Sequence, residues 1–219
     1  MLQEYALVKL RADKRQVALA DGTQGDLEAG TPGTVVGIYP HTAGSGFAVE
    51  FVRADGSTLA ITIVQEEELL PRFIAGKLLV NASGATYEGR VYDRRLRVQL
   101  HQGSVISVFD PMLLSTDLQV NEQVELALVP FASGVQPGTG GPAAQSQGEW
   151  EGVVAECGWA VPAGLYRSAP PCIFANSRWG LLSTVFGHVL MRESQLQQTF
   201  RPGERVRWTH SRLDLYAVV

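Results

Sequence analysis

Cysteine, lysine and long apolar runs are all scarce in this chain, and each scarcity removes a class of protein. Only Cys157 and Cys172 are present, and they form no CxxC pair. A small domain held by disulfides carries more cysteine per residue, so both are expected as buried thiols in a reducing compartment. No stretch approaches the roughly 18 to 20 apolar residues that cross a bilayer. Met1-Leu2-Gln3-Glu4-Tyr5 lacks the charged and then apolar run of a secretory signal. The expected address is the cytoplasm, with no membrane partner. Lys9, Lys14 and Lys77 are the only lysines; the rest of the basic charge is arginine, as a GC-rich coding sequence produces. A net charge of −4 gives no basic excess to draw a polyanion.

Catalytic patterns are missing as well. His41, His101, His188 and His210 show no HxxxH or HExxH spacing, so no metal site is expected. The serines give no GxSxG elbow. Cys157 sits in "AECGWA" without the cationic neighbours that a reactive thiolate needs, and reads as a buried structural residue. "GTGG" at 138–141 does not lie between a strand and a helix, which excludes a phosphate cradle. Glu66-Glu67-Glu68 reads as a solvated turn. No catalytic residue, cofactor-binding residue or cofactor is expected.

The chain is instead dense in short alternating segments between turn residues. Tyr5–Leu10 and Val17–Leu19 are expected strands. Gly30-Thr31-Pro32-Gly33 turns into the β-branched Thr34–Tyr39. Phe47–Val52 alternates with period two and is joined to Thr58–Val64 through Asp55-Gly56, a hairpin signal. Glu66–Pro71 predicts one helical turn closed by proline. Lys77–Val80, Leu96–Leu100 and Ser104–Phe109 continue the pattern. Polar turns at Asn121-Glu122 and Pro202-Gly203 each lead into a further strand.

Three pieces of the first third, "AGTPGTVVGIY", "FAVEFVRADGSTLAITIV" and "EEELLP", resemble in order and spacing the small uncharacterised bacterial family DUF4926. The resemblance implies a compact SH3-like barrel and brings no activity or catalytic residues. It departs in the longer Arg11–Glu28 segment. Further on, Tyr87-Glu88-Gly89-Arg90-Val91 is echoed by Trp150-Glu151-Gly152-Val153-Val154, a cadence suited to two related barrels. Gly134–Gly148, rich in Gly, Pro, Ala, Gln and Ser, has no apolar period and reads as a linker. The expected fold is therefore all-β: tandem small SH3-like or OB-like barrels with short helical turns. Residues 1–72 are expected as the SH3-like barrel, 73–133 as a small barrel unit, 134–149 as a flexible linker and 150–219 as a second small barrel.

Two features point to a binding surface. With Val91, Leu96 and Val98 facing inward, period two places Arg90, Tyr92, Arg95 and Arg97 outward. A basic and aromatic face of this kind suits single-stranded nucleic acid. Residues 84–149 nevertheless carry 4 arginines against 7 carboxylates, and residues 150–219 carry 7 against 5, which is not the usual electrostatic footprint. All four tryptophans lie in the last third, and Trp159 and Trp179, in turn-rich segments, are the expected exposed ones. The resulting expectation is a non-enzymatic bacterial binding protein that recognises a protein partner, an immunity or regulatory protein being one concrete form. Single-stranded nucleic-acid binding through an OB-like barrel is the alternative, followed by an enzyme with a dispersed site.

A far-UV circular dichroism spectrum dominated by β-structure is expected. A helix content above roughly a third, the globular average, would contradict the fold reading.

Overall fold

Hydrophobic side chains collect into one core within Met1–Arg72 and two within Phe73–Val219, and the chain divides into these two units. The computed structural model describes residues 2, 4–41, 44–53, 55–138, 149–159, 165–167, 178–196 and 200–219. The fold is all-β, apart from a single 3₁₀ turn at Glu66–Glu68 among the described residues.

In the first unit, β1 (Leu7–Leu10), β4 (Pro32–His41), β5 (Gly44–Val52), β6 (Thr58–Gln65) and β7 (Leu69–Pro71) form an antiparallel sheet in the order β6-β5-β4-β1-β7. It curls into a small barrel around Val8, Leu10, Val35, Phe47, Val49, Phe51 and Val64. The Arg11–Glu28 segment is a separate hairpin of β2 (Lys14–Ala18) and β3 (Gln24–Leu27). One turn device serves two hairpins. Asp21 accepts bonds from the Thr23 amide and hydroxyl, and Asp55 accepts the same pair from Ser57. The intervening Gly22 and Gly56 sit at φ +83° and +84°, where a side chain would be strained. The 3₁₀ turn is tied at its start by the Gln65 amide, which donates to Glu68 at 2.7 Å. Lys14 Nζ reaches the same carboxylate at 2.6 Å.

The second unit is built from β8 (Ile74–Ser83), β9 (Thr86–Tyr87), β10 (Arg90–Val91), β11 (Arg94–Leu100), β12 (Val105–Asp110), β13 (Gln123–Pro137), β14 (Glu149–Trp159), β15 (Trp179–Thr184), β16 (Gly187–Arg192) and β17 (Arg205–Val218). Eight of these form one sheet, β12-β11-β8-β13-β17-β14-β15-β16. A parallel contact between β12 and β17, Val108 to Leu213 and Phe109 to Asp214, bends the first five strands into a closed ring. The ring is filled by Leu78, Leu96, Val98, Val108, Leu128, Leu213 and Leu215, and the same core continues into Trp150, Val154 and Leu182 of the sheet's other half.

This corrects the expected division of 73–133 from 150–219. Strands from both segments are joined in one sheet where β17 pairs with β13 and β12, and they share one core, so they are a single unit. Residues 134–137 of the expected linker are the end of β13, and Glu149 begins β14; residues 139–148 lie outside the described residues. The five-residue echo has no structural counterpart either. Tyr87–Val91 is a hairpin whose two-residue turn, Glu88 and Gly89, takes positive φ. Trp150–Val154 lies inside β14, where Gly152 lets the strand approach the Ser183 carbonyl; a Cβ there would come within 2.8 Å of that oxygen.

The loop after β12 depends on one buried carboxylate. Asp110, wholly inaccessible to solvent, accepts bonds from the amides of Met112, Leu114 and Ser115 and from the Ser115 hydroxyl, the last at 2.6 Å. Asn81 of β8 then holds the loop's carbonyls at Ser115 and Leu118. Removing the carboxylate strands several buried donors, so Asp110→Ala is expected to lower stability by about 3 kcal/mol. Urea unfolding measures this directly, and a change below about 0.5 kcal/mol would mean that the loop is held by other contacts.

Candidate functional site

The outward row anticipated from the sequence lies on β11. Leu96, Val98 and Leu100 are buried, and Arg95, Arg97 and Gln99 alternate with them on the outer face. Sheet register builds a block around these three residues. Arg95 lies between Ala82 and Phe109, Arg97 between Val80 and Ser107, and Gln99 between Lys77 and Val105. Arg90 and Tyr92 are exposed at and just after the β9–β10 hairpin. The base of that hairpin is pinned by Asp93, which accepts a bond from the Ala85 amide. Arg94 turns the other way and donates to Asn81 at 2.7 Å.

The sequence reading missed the continuation of this surface, because it comes from strands distant in the chain. Arg212 of β17 places its guanidinium 4.5 Å from the Phe109 ring centre and 5.4 Å from that of Phe131. Asp214 holds the guanidinium at 2.6 Å. Phe131 is 57% exposed. An arginine stacked on aromatic faces in this way is oriented before any ligand arrives.

Trp159 and Trp179 do not belong to a surface. Both are buried, and the expectation that they are exposed is corrected. They are not turn residues but partners across β14 and β15. A register shift between Glu156 and Trp159 carries the Trp159 ring inward onto Phe73, at 6.1 Å. Trp179 meets Tyr216 edge to face at 5.0 Å. Trp150 and Trp208 are buried as well.

A second surface lies on the first unit. Ile61 and Ile63 of β6 are 60% and 56% exposed, while Ala60 and Val64 face the core. On the outer face Ile61 lies opposite Glu50 and Ile63 opposite Ala48, with Gly46 and Gly37 beside Ala48. Tyr39 lies against Gly37, and Ile63 lies against Gly46; a Cβ on Gly46 would come within 3.2 Å of the isoleucine. Small residues thus floor an apolar stripe edged by Ile61, Ile63 and Tyr39, beside the exposed Val36. The β2–β3 hairpin covers β6 at Leu59 and Ala60. From Ile61 to Val64, no strand among the described residues pairs with its outer edge.

Neither surface contains reactive chemistry. Cys157 is exposed rather than buried, which corrects the sequence reading. Partial burial and the nearby Glu193, Glu156 and Glu204 raise its pKa, so the thiol stays protonated at neutral pH. Burial lowers the pKa of His210, which packs edge-on against Trp150 at 5.1 Å. Among the described residues no three His, Cys, Asp or Glu side chains converge on a metal-sized site. A cleft between Met112, Val129, Trp179, Arg192, Asp214 and Tyr216 holds about 80 Å³, below the several hundred Å³ of a small-molecule site. A wider, open depression of about 360 Å³ is lined by Ser133, Gln136, Glu149, Arg207, Trp208 and Thr209, and Ser133 and Thr209 bond to each other within it.

No curated protein and no solved structure matches the chain. Residues 4–71, nearly the whole of the first unit, match the family described as Domain of unknown function (DUF4926).

Proposed function

We propose that this is a non-enzymatic binding protein whose N-terminal unit recognises a protein partner through the exposed outer edge and apolar side chains of β6. The observation that carries the reading is the exposed pair Ile61 and Ile63 on a strand, Thr58–Gln65, with no charged residue. Edge strands of monomeric proteins are ordinarily blunted by charge, proline or a covering element. Here the cover stops at Ala60. A partner strand adding to Ile61–Val64 would gain main-chain hydrogen bonds from the edge and side-chain burial from the stripe.

The meander β4-β5-β6, flanked by β1 and by β7 after a 3₁₀ turn, supports an SH3-like reading of the barrel. Charge bears on the partner. Met1–Arg72 contains 6 basic and 10 acidic residues, so the chain's whole net charge of −4 belongs to this unit. A basic protein is the complementary partner, which is the form an immunity or regulatory protein of the bacterial cytoplasm would take. No helix among the described residues is long and apolar enough to cross a membrane.

Ile61→Glu with Ile63→Glu should leave the β-spectrum intact, since both side chains are solvent-facing. The pair should weaken partner capture by the full chain at least about tenfold, the worth of one buried isoleucine. Titration of a partner captured from the source cells measures the loss. Unchanged affinity in the double variant would remove β6 from the interface.

A further inference from the structure

The closed ring of the second unit has a definite connectivity. β8, β11 and β12 follow one another as a meander, β12 meets β17 in parallel, and β13 lies between β17 and β8. This is the strand order of an OB-like barrel, with β8, β11, β12, β13 and β17 as its first to fifth strands. In that architecture the outer face of the second and third strands, with the loop between the first and second, receives extended ligands. Here that face is β11 and β12, and the loop is the β9–β10 hairpin that carries Tyr87 and Arg90.

The chemistry of this face is segregated from the rest of the molecule. The block Ala82, Arg95, Phe109, Val80, Arg97, Ser107, Lys77, Gln99 and Val105 contains three cations and no carboxylate. The side chains of Arg95 and Arg97 make no hydrogen bond or ion pair with a described residue. They stand about 7 Å apart along one strand, a step suited to successive charges of an extended ligand. Phe73–Val219 as a whole contains 12 basic and 12 acidic residues. The neutral total hides a basic face, and the chain's net negative charge lies in the other unit.

We propose that the outer face of β11 and β12 binds single-stranded nucleic acid. The phosphates run along Lys77, Arg95 and Arg97, and bases stack on the exposed rings of Phe131 and Tyr92. The aromatic component decides for a nucleic acid over an acidic peptide. Carboxylates would use the cations but leave the exposed rings without a partner, whereas every base presents a π face. Arg212, fixed between Phe109 and Phe131 and neutralised by Asp214, serves the platform rather than the charge count. Long-range attraction is small, so binding depends on contacts at the face and is moderate in strength.

Fluorescence anisotropy of the full chain with labelled twelve-nucleotide oligo(dT) and oligo(U) tests this. Saturable binding is expected at 50 mM salt, with a log–log salt slope of roughly −2 for three neutralised phosphates. Arg95→Glu with Arg97→Glu should weaken it at least about tenfold. Phe131→Ala with Tyr92→Ala should weaken it severalfold while leaving the slope unchanged. All four side chains are exposed, so circular dichroism should be the same for every variant. Absence of saturable binding would overturn the proposal, as would equal affinity for a twelve-base-pair duplex, or affinity indifferent to either pair of substitutions. Tighter binding of a twelve-residue oligoglutamate peptide would assign the face to an acidic protein segment instead.

Discussion

The second unit depends on β17. This one strand is paired along one side with β13, from Val206 to Val218, and along the other first with β14 and then with β12. Its buried side chains, Val206, Trp208, Leu213, Leu215 and Val218, reach both halves of the core. Without it the ring of β8, β11, β12 and β13 has no closing strand, and β14, β15 and β16 have no connection to the ring's sheet. Because an exposed strand edge is a liability and an unpaired buried edge is costly, this strand joins the two halves of Phe73–Val219 into one sheet, while side chains of both halves also meet in the shared cores.

The same strand creates the basic and aromatic surface. Arg212 and Asp214 alternate outward with Leu213 and Leu215 inward, so the pairing that fills the core also delivers a guanidinium to Phe109 and Phe131. The first unit reaches its surface by a different route. There the inward positions of β6 are taken by Ala60 and Val64 and the outward ones by isoleucine. Neighbouring Gly37, Gly46 and Ala48 leave the outer face low enough to be a trough. The two surfaces differ in chemistry, one largely apolar and the other cationic and aromatic, and therefore in the partners they suit.

Local signals in the sequence were read correctly where local physics decides. Alternation placed Arg95 and Arg97 outward, because period two in a half-buried strand allows no other register. Asp55-Gly56 marked its hairpin, because the aspartate bonds Ser57 and the glycine takes positive φ. Non-local pairing was not legible. The parallel contact of Phe109 with Asp214 and the stacking of Arg212 on Phe131 join residues far apart in the chain, and nothing in either segment names the other. The Gly- and Pro-rich stretch around 134–148 suggested a domain boundary, although β13 and β14 on its two sides both pair with β17. The outward isoleucines were hidden in the run Leu59–Val64, where apolar residues occupy both faces and period gives no direction. Trp159 and Trp179 misled because a register shift in β14, which composition does not encode, turns one ring inward against Phe73 and leaves the other packed on Tyr216.

Native-state hydrogen exchange on Leu215→Ala tests the shared strand most directly. Leu215 is buried in the common core and opposes Leu128 of β13, and its truncation should cost about 3 kcal/mol. Amides of β11 and β12 on one side, and of β14 and β15 on the other, should lose protection by the same amount, as members of one cooperative unit. Loss confined to one side, with the other at full protection, would mean that the two halves of Phe73–Val219 fold independently.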